Sequence, residues 1–432
     1  MKHLICLLCL AAMLTSLMAR ADTWGSAPSH DTTLLAYEPD ASLTLAQALQ
    51  LALQANPELA IAKREVDAVT ASRIQAALFR NPELSVEMED VRPSSRQTTY
   101  WLGQPFELGG KRGARIETAE RARDVASADL HVRLADMHAD VVQRFYEVLA
   151  AQERYRLAQS SMELANRGLD VAARRVTAGK VSPVEETRAR VAASGARIEL
   201  TQANAELVNA RRRLAALWGN AVPRFTEALG ELDLLPELPS LSSLDEILDQ
   251  APQALRAEQE IRHRDAMLKV QESKRYPDLI LRSGVQRNES AADTVGVLGV
   301  ALAIPLFDRN QGNIQEARVR VDKARDERFA LNVRLRNELS LAHQRLAASL
   351  QEVSSIRDDI LPGAQSALDA TTRGFELGKF NFLDVLDAQR TLFTARGQYI
   401  RALGEVQRSV ADVEAILGPQ GAALFASMHG QH

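Results

Sequence analysis

Asp384 and Asp387 lie three residues apart in the run Asn381-Phe-Leu-Asp-Val-Leu-Asp-Ala-Gln-Arg390. On a helix that spacing places both carboxylates on one face, and Arg390, one turn further on, can pair with Asp387. Two uses are open to such a pair. Facing water in a confined passage, it favours cations and repels anions. Sitting in the first turn of a helix, it complements the positive end of the helix dipole, worth about 0.3–1 kcal/mol per charge. Other chemistry is sparse. His131 and His138, seven apart, could share a helix face, and His429 and His432 form a pair near the end. With His30, His263 and His343 they read best as scattered histidines on solvated helices. Met88, Met137, Met162, Met267 and Met428 form no close pairs, so a thioether copper relay has no basis. No nucleotide-binding loop and no catalytic constellation is present, so we expect no enzyme, no cofactor and no resident metal.

The chain opens with Lys2 and His3, an apolar stretch over 4–17 and Met18-Ala-Arg-Ala21, the layout of a secretory signal peptide over 1–21. Cys6 and Cys9, the only cysteines, fall inside it, so the mature chain has no disulfide or thiolate site. Removing Lys2 and Arg20 leaves 50 basic against 56 acidic residues, which disfavours a nucleic-acid partner. Beyond the leader the longest apolar run is 13 residues, 295–307. That excludes a polytopic helical membrane protein, whose spans need roughly 18 or more.

The elements that must carry the acidic pair come from a tandem repeat. Pro57 recurs as Pro252, Asn81-Pro-Glu-Leu84 as Tyr276-Pro-Asp-Leu279, and 168–219 aligns without gaps to 367–418 at an offset of 199, Gly179-Lys180 falling on Gly378-Lys379. We divide the chain into 22–41 (an extended segment), a first repeat at 42–235, a second at 236–418 and a tail at 419–432. Each repeat opens with a helix, the first over 57–80 with Asn56 as its cap. A β-hairpin follows, at 82–107 and 277–306. Leu84, Val86 and Met88 alternate with Glu83, Ser85, Glu87 and Glu89, a period of two. The partner strand over 295–304 is apolar on both faces. Long helices complete each repeat: 113–178 has no proline, 179–183 breaks it, and 184–217 resumes. The second copy runs 312–361, pauses at Pro362-Gly363, breaks at 378–382 and continues to Leu417. Tyr399, Leu403, Val406, Val410, Val413 and Leu417 are spaced 4, 3, 4, 3, 4, a coiled-coil seam.

Strands of 9 to 11 residues are long enough to cross a bilayer at a tilt, yet four of them cannot close a barrel. Spanning a membrane would therefore require several chains. Leu43-Thr-Leu-Ala-Gln-Ala-Leu49, Asn56-Pro-Glu-Leu59 and above all Gly378-Lys-Phe-Asn-Phe-Leu-Asp-Val-Leu-Asp-Ala-Gln-Arg390 resemble the outer membrane factor (TolC-type) family. Glu107-Leu-Gly-Gly-Lys-Arg112 and Ile304-Pro-Leu-Phe-Asp-Arg-Asn-Gln-Gly312 resemble its branch serving cobalt–zinc–cadmium type exporters.

The resemblance implies a mainly α fold with a small β part. Long coiled-coil helices would form a periplasmic α-barrel, and four β-strands per chain would contribute to a trimeric twelve-stranded transmembrane β-barrel in the outer membrane of a Gram-negative bacterium. It also implies a passive exit duct of a tripartite, proton-driven efflux pump carrying heavy-metal cations. Its partners would be two further copies, outer-membrane lipid, a periplasmic adaptor (membrane fusion) protein and an inner-membrane resistance-nodulation-division pump. Asp384 and Asp387, tripled, would be rings at a periplasmic gate with Arg390 beside them. The adaptor would meet the tips, Gly179, Lys180, Val181, Ser182 and Pro183 in one hairpin and Gly378, Lys379, Phe380, Asn381 and Phe382 in the other. In the first copy Glu185 and Arg188 stand where Asp384 and Asp387 do, so one hairpin carries the double acid. Where some relatives lock the gate with tyrosine and arginine, Phe375 and Phe380 stand here. A drug-efflux or type I secretion duct, or a soluble periplasmic coiled-coil adaptor, remain the other readings.

Overall fold

The computed structural model describes residues 38–90, 92–377 and 379–425. The leader, His30, Gly378, His429 and His432 lie outside the described residues.

A short strand β1 (Ser42–Thr44) leads into α1 (Leu45–Ala55) and α2 (Pro57–Ala76). Thr44 and Gln47 close a capping box at the start of α1. Asn56 caps α2 through Oδ1, which accepts from the Leu59 N–H at 2.9 Å, and its amide donates to the Leu217 carbonyl at 2.8 Å. One residue thus ends one helix through its backbone, and its side chain starts the next and ties it to a third. α2 stops four residues short of the expected Arg80. The released segment sends Phe79 under the guanidinium of Arg112, 4.3 Å from the ring centre, and leaves Arg80 free to reach Glu107.

Strands β2 (Glu83–Glu89) and β3 (Gln97–Phe106) form the first hairpin, and β5 (Leu279–Asn288) and β6 (Asp293–Leu302) the second. They join in one antiparallel sheet of order β2-β3-β5-β6. The two repeats meet along β3 and β5, from Gln97 opposite Asn288 to Phe106 opposite Leu279.

Helix α3 (Lys111–Thr177) runs 67 residues, about 100 Å at 1.5 Å per residue. It packs against α1, α2, α4 (Pro183–Ala216), α6 (Pro252–Ser273) and α9 (Phe382–Leu417). Ala189, Ala193, Ala196, Ala203, Leu207, Ala210 and Leu214 are buried at heptad spacing along α4, and small residues there let the backbones approach closely. The α9 seam holds as read, Leu403, Val406, Val410, Val413 and Leu417 being at most 4% exposed. It also extends towards the tip through Val385, Ala388, Leu392 and Ala395. The expected pause at Pro362-Gly363 is instead a continuous rod. α7 (Gln311–Ser355) passes through a π turn at Ile356–Ile360 into α8 (Leu361–Glu376). The Leu361 N–H reaches back to the Ile356 carbonyl, and that widened turn accommodates the ring of Pro362 without ending the helix.

The main buried cluster lies midway along α3. Phe145 and Leu149 of α3, Leu335, Leu339 and Leu346 of α7 and Val406 and Val410 of α9 are packed with Trp218 and Phe225. Around them sit α5 (Leu241–Ile247) and β4 (Glu227–Leu229), which pairs in parallel with β1. Within the expected tail, α10 (Pro419–Leu424) brings Phe425 into the same core at 2% exposure.

At the join between sheet and helices, Gly109 and Gly110 both take left-handed backbone, at φ 71° and 74°. A side chain at Gly109 would strike the Tyr276 ring within 2.5 Å, so glycine is required there twice over. Glu107, 7% exposed, is gripped by Arg115 and Arg80, and Lys111 meets Asp278 at 2.5 Å. Glu107→Ala leaves Arg115 without its carboxylate in a partly dry site. It should lower the stability of the detergent-solubilised protein by about 1–3 kcal/mol, read as a lower midpoint in thermal unfolding followed by circular dichroism.

Candidate functional site

The hairpin tips are built by backbone hydrogen bonding. α3 ends in a Schellman motif: Gly179, at φ 69°, donates to the Val176 carbonyl and Lys180 to the Arg175 carbonyl, both at 2.9 Å. Ser182 then caps α4 by accepting from the Val184 N–H at 3.3 Å, with Pro183 at the first turn. The second tip repeats the design, with Lys379 donating to the Gly374 carbonyl at 2.7 Å. Backbone hydrogen bonds thus close the described part of each turn.

Asp384 is the third residue of α9 and completes a capping box. Its N–H donates to Asn381 Oδ1 and its Oδ2 accepts from the Asn381 N–H, both at 3.0 Å. So one of the two uses left open by the sequence is realised for this carboxylate. Asp387, one turn on, is exposed, as is Arg390. Both aspartates neighbour seam residues, Asp384 beside Val385 and Asp387 beside Ala388, which puts them on the flank of the packed face. In the first copy Glu185 is half-buried and Arg188 exposed, while Glu186 and Arg190 form an ion pair at 2.5 Å.

The phenylalanines divide the work. Phe375 packs against Ala172 and Ala189 of the first hairpin, as do Leu169 and Leu386. The Arg175 guanidinium sits over its ring, 4.3 Å from the centroid. It therefore joins the two hairpins of one chain. Phe380 folds back on its own turn, where a Cβ on Gly374 would fall 1.9 Å from its ring. Sequence reading missed Arg175, although the alignment of repeats pairs it with Gly374. The two copies thus differ where one supplies a cation and the other makes room for a ring.

The sheet has two unlike faces. Directly paired residues of an antiparallel sheet point to one side. Leu84, Val86 and Met88 thus share a face with Tyr100, Leu102, Leu281, Val285, Leu298, Val300 and Leu302. These ten side chains are 43% to 88% exposed in the single chain. Full burial of such a side chain is worth on the order of 1.5–3 kcal/mol, so together they are comparable to the roughly 5–15 kcal/mol that holds a typical domain folded. A soluble scaffold would have to cover this face. The other face carries Glu83, Glu87, Glu89, Gln97, Thr99, Arg282, Gln286, Asn288 and Asp293, together with the small apolar residues of β6.

Among the described residues, no group of three or more metal-ligating side chains converges, and no helix is long and apolar enough to cross a membrane. His138 lies 3.8 Å from the buried carboxylate of Glu414, and His343 contacts the Pro239 carbonyl at 2.9 Å. Burial holds the His263 imidazole below its ordinary value.

Against known proteins, the family described as outer membrane efflux protein matches residues 48–220 and 243–419. The chain belongs to the outer membrane efflux protein family. It is 43% identical over 376 residues to the cobalt-zinc-cadmium resistance protein CzcC of Cupriavidus metallidurans, covering 87% of this chain and 90% of that one. In fold it is similar to a membrane protein of Pseudomonas aeruginosa (TM-score 0.75, 20% identity, 87% of this chain and 92% of that one). The outer membrane protein VceC of Vibrio cholerae is also similar (TM-score 0.70, 17% identity, 87% and 96%). The chain is thus an outer-membrane efflux channel with its helical part in the periplasm. In a closed barrel the apolar sheet face is suited to lipid and the polar face to a water-filled pore. The family's members are channels that assemble as trimers and work with adaptor and pump partners.

The capping box yields a direct check. Asn381→Ala removes the cap at a cost of about 1 kcal/mol. Hydrogen exchange at the amides of Leu383, Asp384 and Val385 should speed up about fivefold, while amides near Val406 are unaffected.

Proposed function

We propose that this channel is the trimeric exit duct of a tripartite pump that discharges divalent heavy-metal cations, with Asp384, Asp387 and Arg390 at its periplasmic gate. What carries the reading is the 43% identity, over nearly the whole of both chains, to a cobalt-zinc-cadmium resistance protein. The tip chemistry supports it. Asp387 is exposed one turn into α9 beside a packed seam, so three copies around an axis can bring three such carboxylates together. Asp384 contributes its remaining negative charge one turn nearer the tip while capping the helix. The duct is passive, and an inner-membrane pump of the resistance-nodulation-division type, driven by protons, supplies the energy. A periplasmic adaptor joins pump and duct at Gly179, Lys180, Val181, Ser182 and Pro183 and at Gly378, Lys379, Phe380, Asn381 and Phe382. The two repeats, 42–235 and 236–418, present one tip each.

Two measurements test this. A strain lacking the gene should become sensitive to cobalt, zinc and cadmium salts while its drug tolerance is unchanged. The opposite pattern would favour a drug duct. In planar bilayers, replacing both Asp384 and Asp387 with alanine should raise single-channel conductance about twofold or more and weaken block by added cadmium. Unchanged conductance and block would remove them from the constriction.

A further inference from the structure

The pore face of the sheet carries one bulky aromatic side chain, and its surroundings are shaped to hold it. We propose that Trp101 and Glu87 form a second cation-selecting element of the duct, set inside the β-barrel and separate from the helical tips. The inference rests on the duct reading above.

Ser85, Trp101, Gly284 and Val297 form one rung across the four strands. The next rung towards the helices is Glu83, Gly103, Arg282 and Gly299. A Cβ at Gly284 would lie 2.9 Å from Cε3 of the indole and 2.4 Å from the Tyr100 carbonyl oxygen. At Gly299 it would lie 3.8 Å from Cζ3 and Cη2. The indole therefore reaches from β3 over β5 to β6, lying along the sheet in the space those two glycines leave. Its other edge faces β2, where Nε1–H donates to Glu87 Oε2 at 3.3 Å.

An aromatic belt at the lipid boundary would sit on the opposite face, so membrane anchoring does not explain this tryptophan. Laid flat, the ring turns its electron-rich surface towards the pore, where it attracts cations. The hydrogen bond from Nε1 holds the Glu87 carboxylate beside that surface, whereas a free glutamate on an edge strand would sample several rotamers. Arg282 is the one basic side chain on the described pore face, against Glu83, Glu87, Glu89 and Asp293, so the local field favours cations. Glu87 supplies the charge, and Trp101 is the positioning residue.

The test is the reversal potential of the purified channel in planar bilayers across a potassium chloride gradient. It is measured with the native tip and with Asp384→Ala/Asp387→Ala, so that the gate does not mask the barrel. With the opened tip, Glu87→Gln should lower the cation-to-anion permeability ratio about twofold or more. Trp101→Phe keeps an aromatic ring on β3 next to Gly284 and deletes the donor to Glu87. It should lower the ratio by a smaller factor, a shift that a purely packing role would not produce. Conducting Glu87→Gln channels with an unchanged reversal potential overturn the proposal. Should that variant not assemble, unchanged selectivity in Trp101→Phe overturns it equally. If the unaltered protein forms no channels at all, the duct reading itself fails.

Discussion

The edges of the four-stranded sheet set the terms for the rest of the molecule. β2 and β6 each have one side unpaired within the chain. In hydrocarbon every unsatisfied backbone N–H or C=O costs several kcal/mol. With several such groups on each edge, the penalty is comparable to or larger than the whole stability of a typical domain. The apolar outer face demands lipid, and lipid forbids the open edges. Both conditions are met only when β2 of one copy pairs with β6 of the next and the ring closes. Three copies give twelve strands, an even number of the size found in bacterial barrels.

That closure is transmitted to the tips by rigid parts. Gly109 and Gly110 turn the chain from strand to helix, and Glu107, Arg115, Lys111 and Asp278 brace the turn. From there α3 continues unbroken, and its partners pack on it through alanine-rich seams. At the far end Arg175 and Phe375 join the two hairpins of the chain. The repeats are alike in plan and unlike in detail. The second copy has a π turn before Pro362 and the double acid, and the first has neither.

Much of this was legible in the sequence. The four strands, both long hairpins and the α9 seam follow from periodicities of two and of 3.5 and from glycine and proline breaks, all local signals. What escaped depends on contacts between distant residues. β1 and β4 are three residues each and pair across nearly two hundred positions, so no local pattern marks them. The helix expected over 57–80 stops at Ala76 because Phe79 and Arg80 are drawn off to Arg112 and Glu107. Pro362 read as a pause because a sequence does not show that a π turn can absorb its ring. Of the candidate site, the turns and the first-turn position of Asp384 were visible. The cap that Asp384 makes, and the placing of Phe375 between hairpins, required the packing.

The central claim is that the chain is incomplete alone and closes as three. Native mass spectrometry of the protein extracted from outer membranes in mild detergent tests it most directly. The account predicts a complex of three chains that loses solubility when detergent is removed. A detergent-free, water-soluble monomer that keeps its strand content would contradict it.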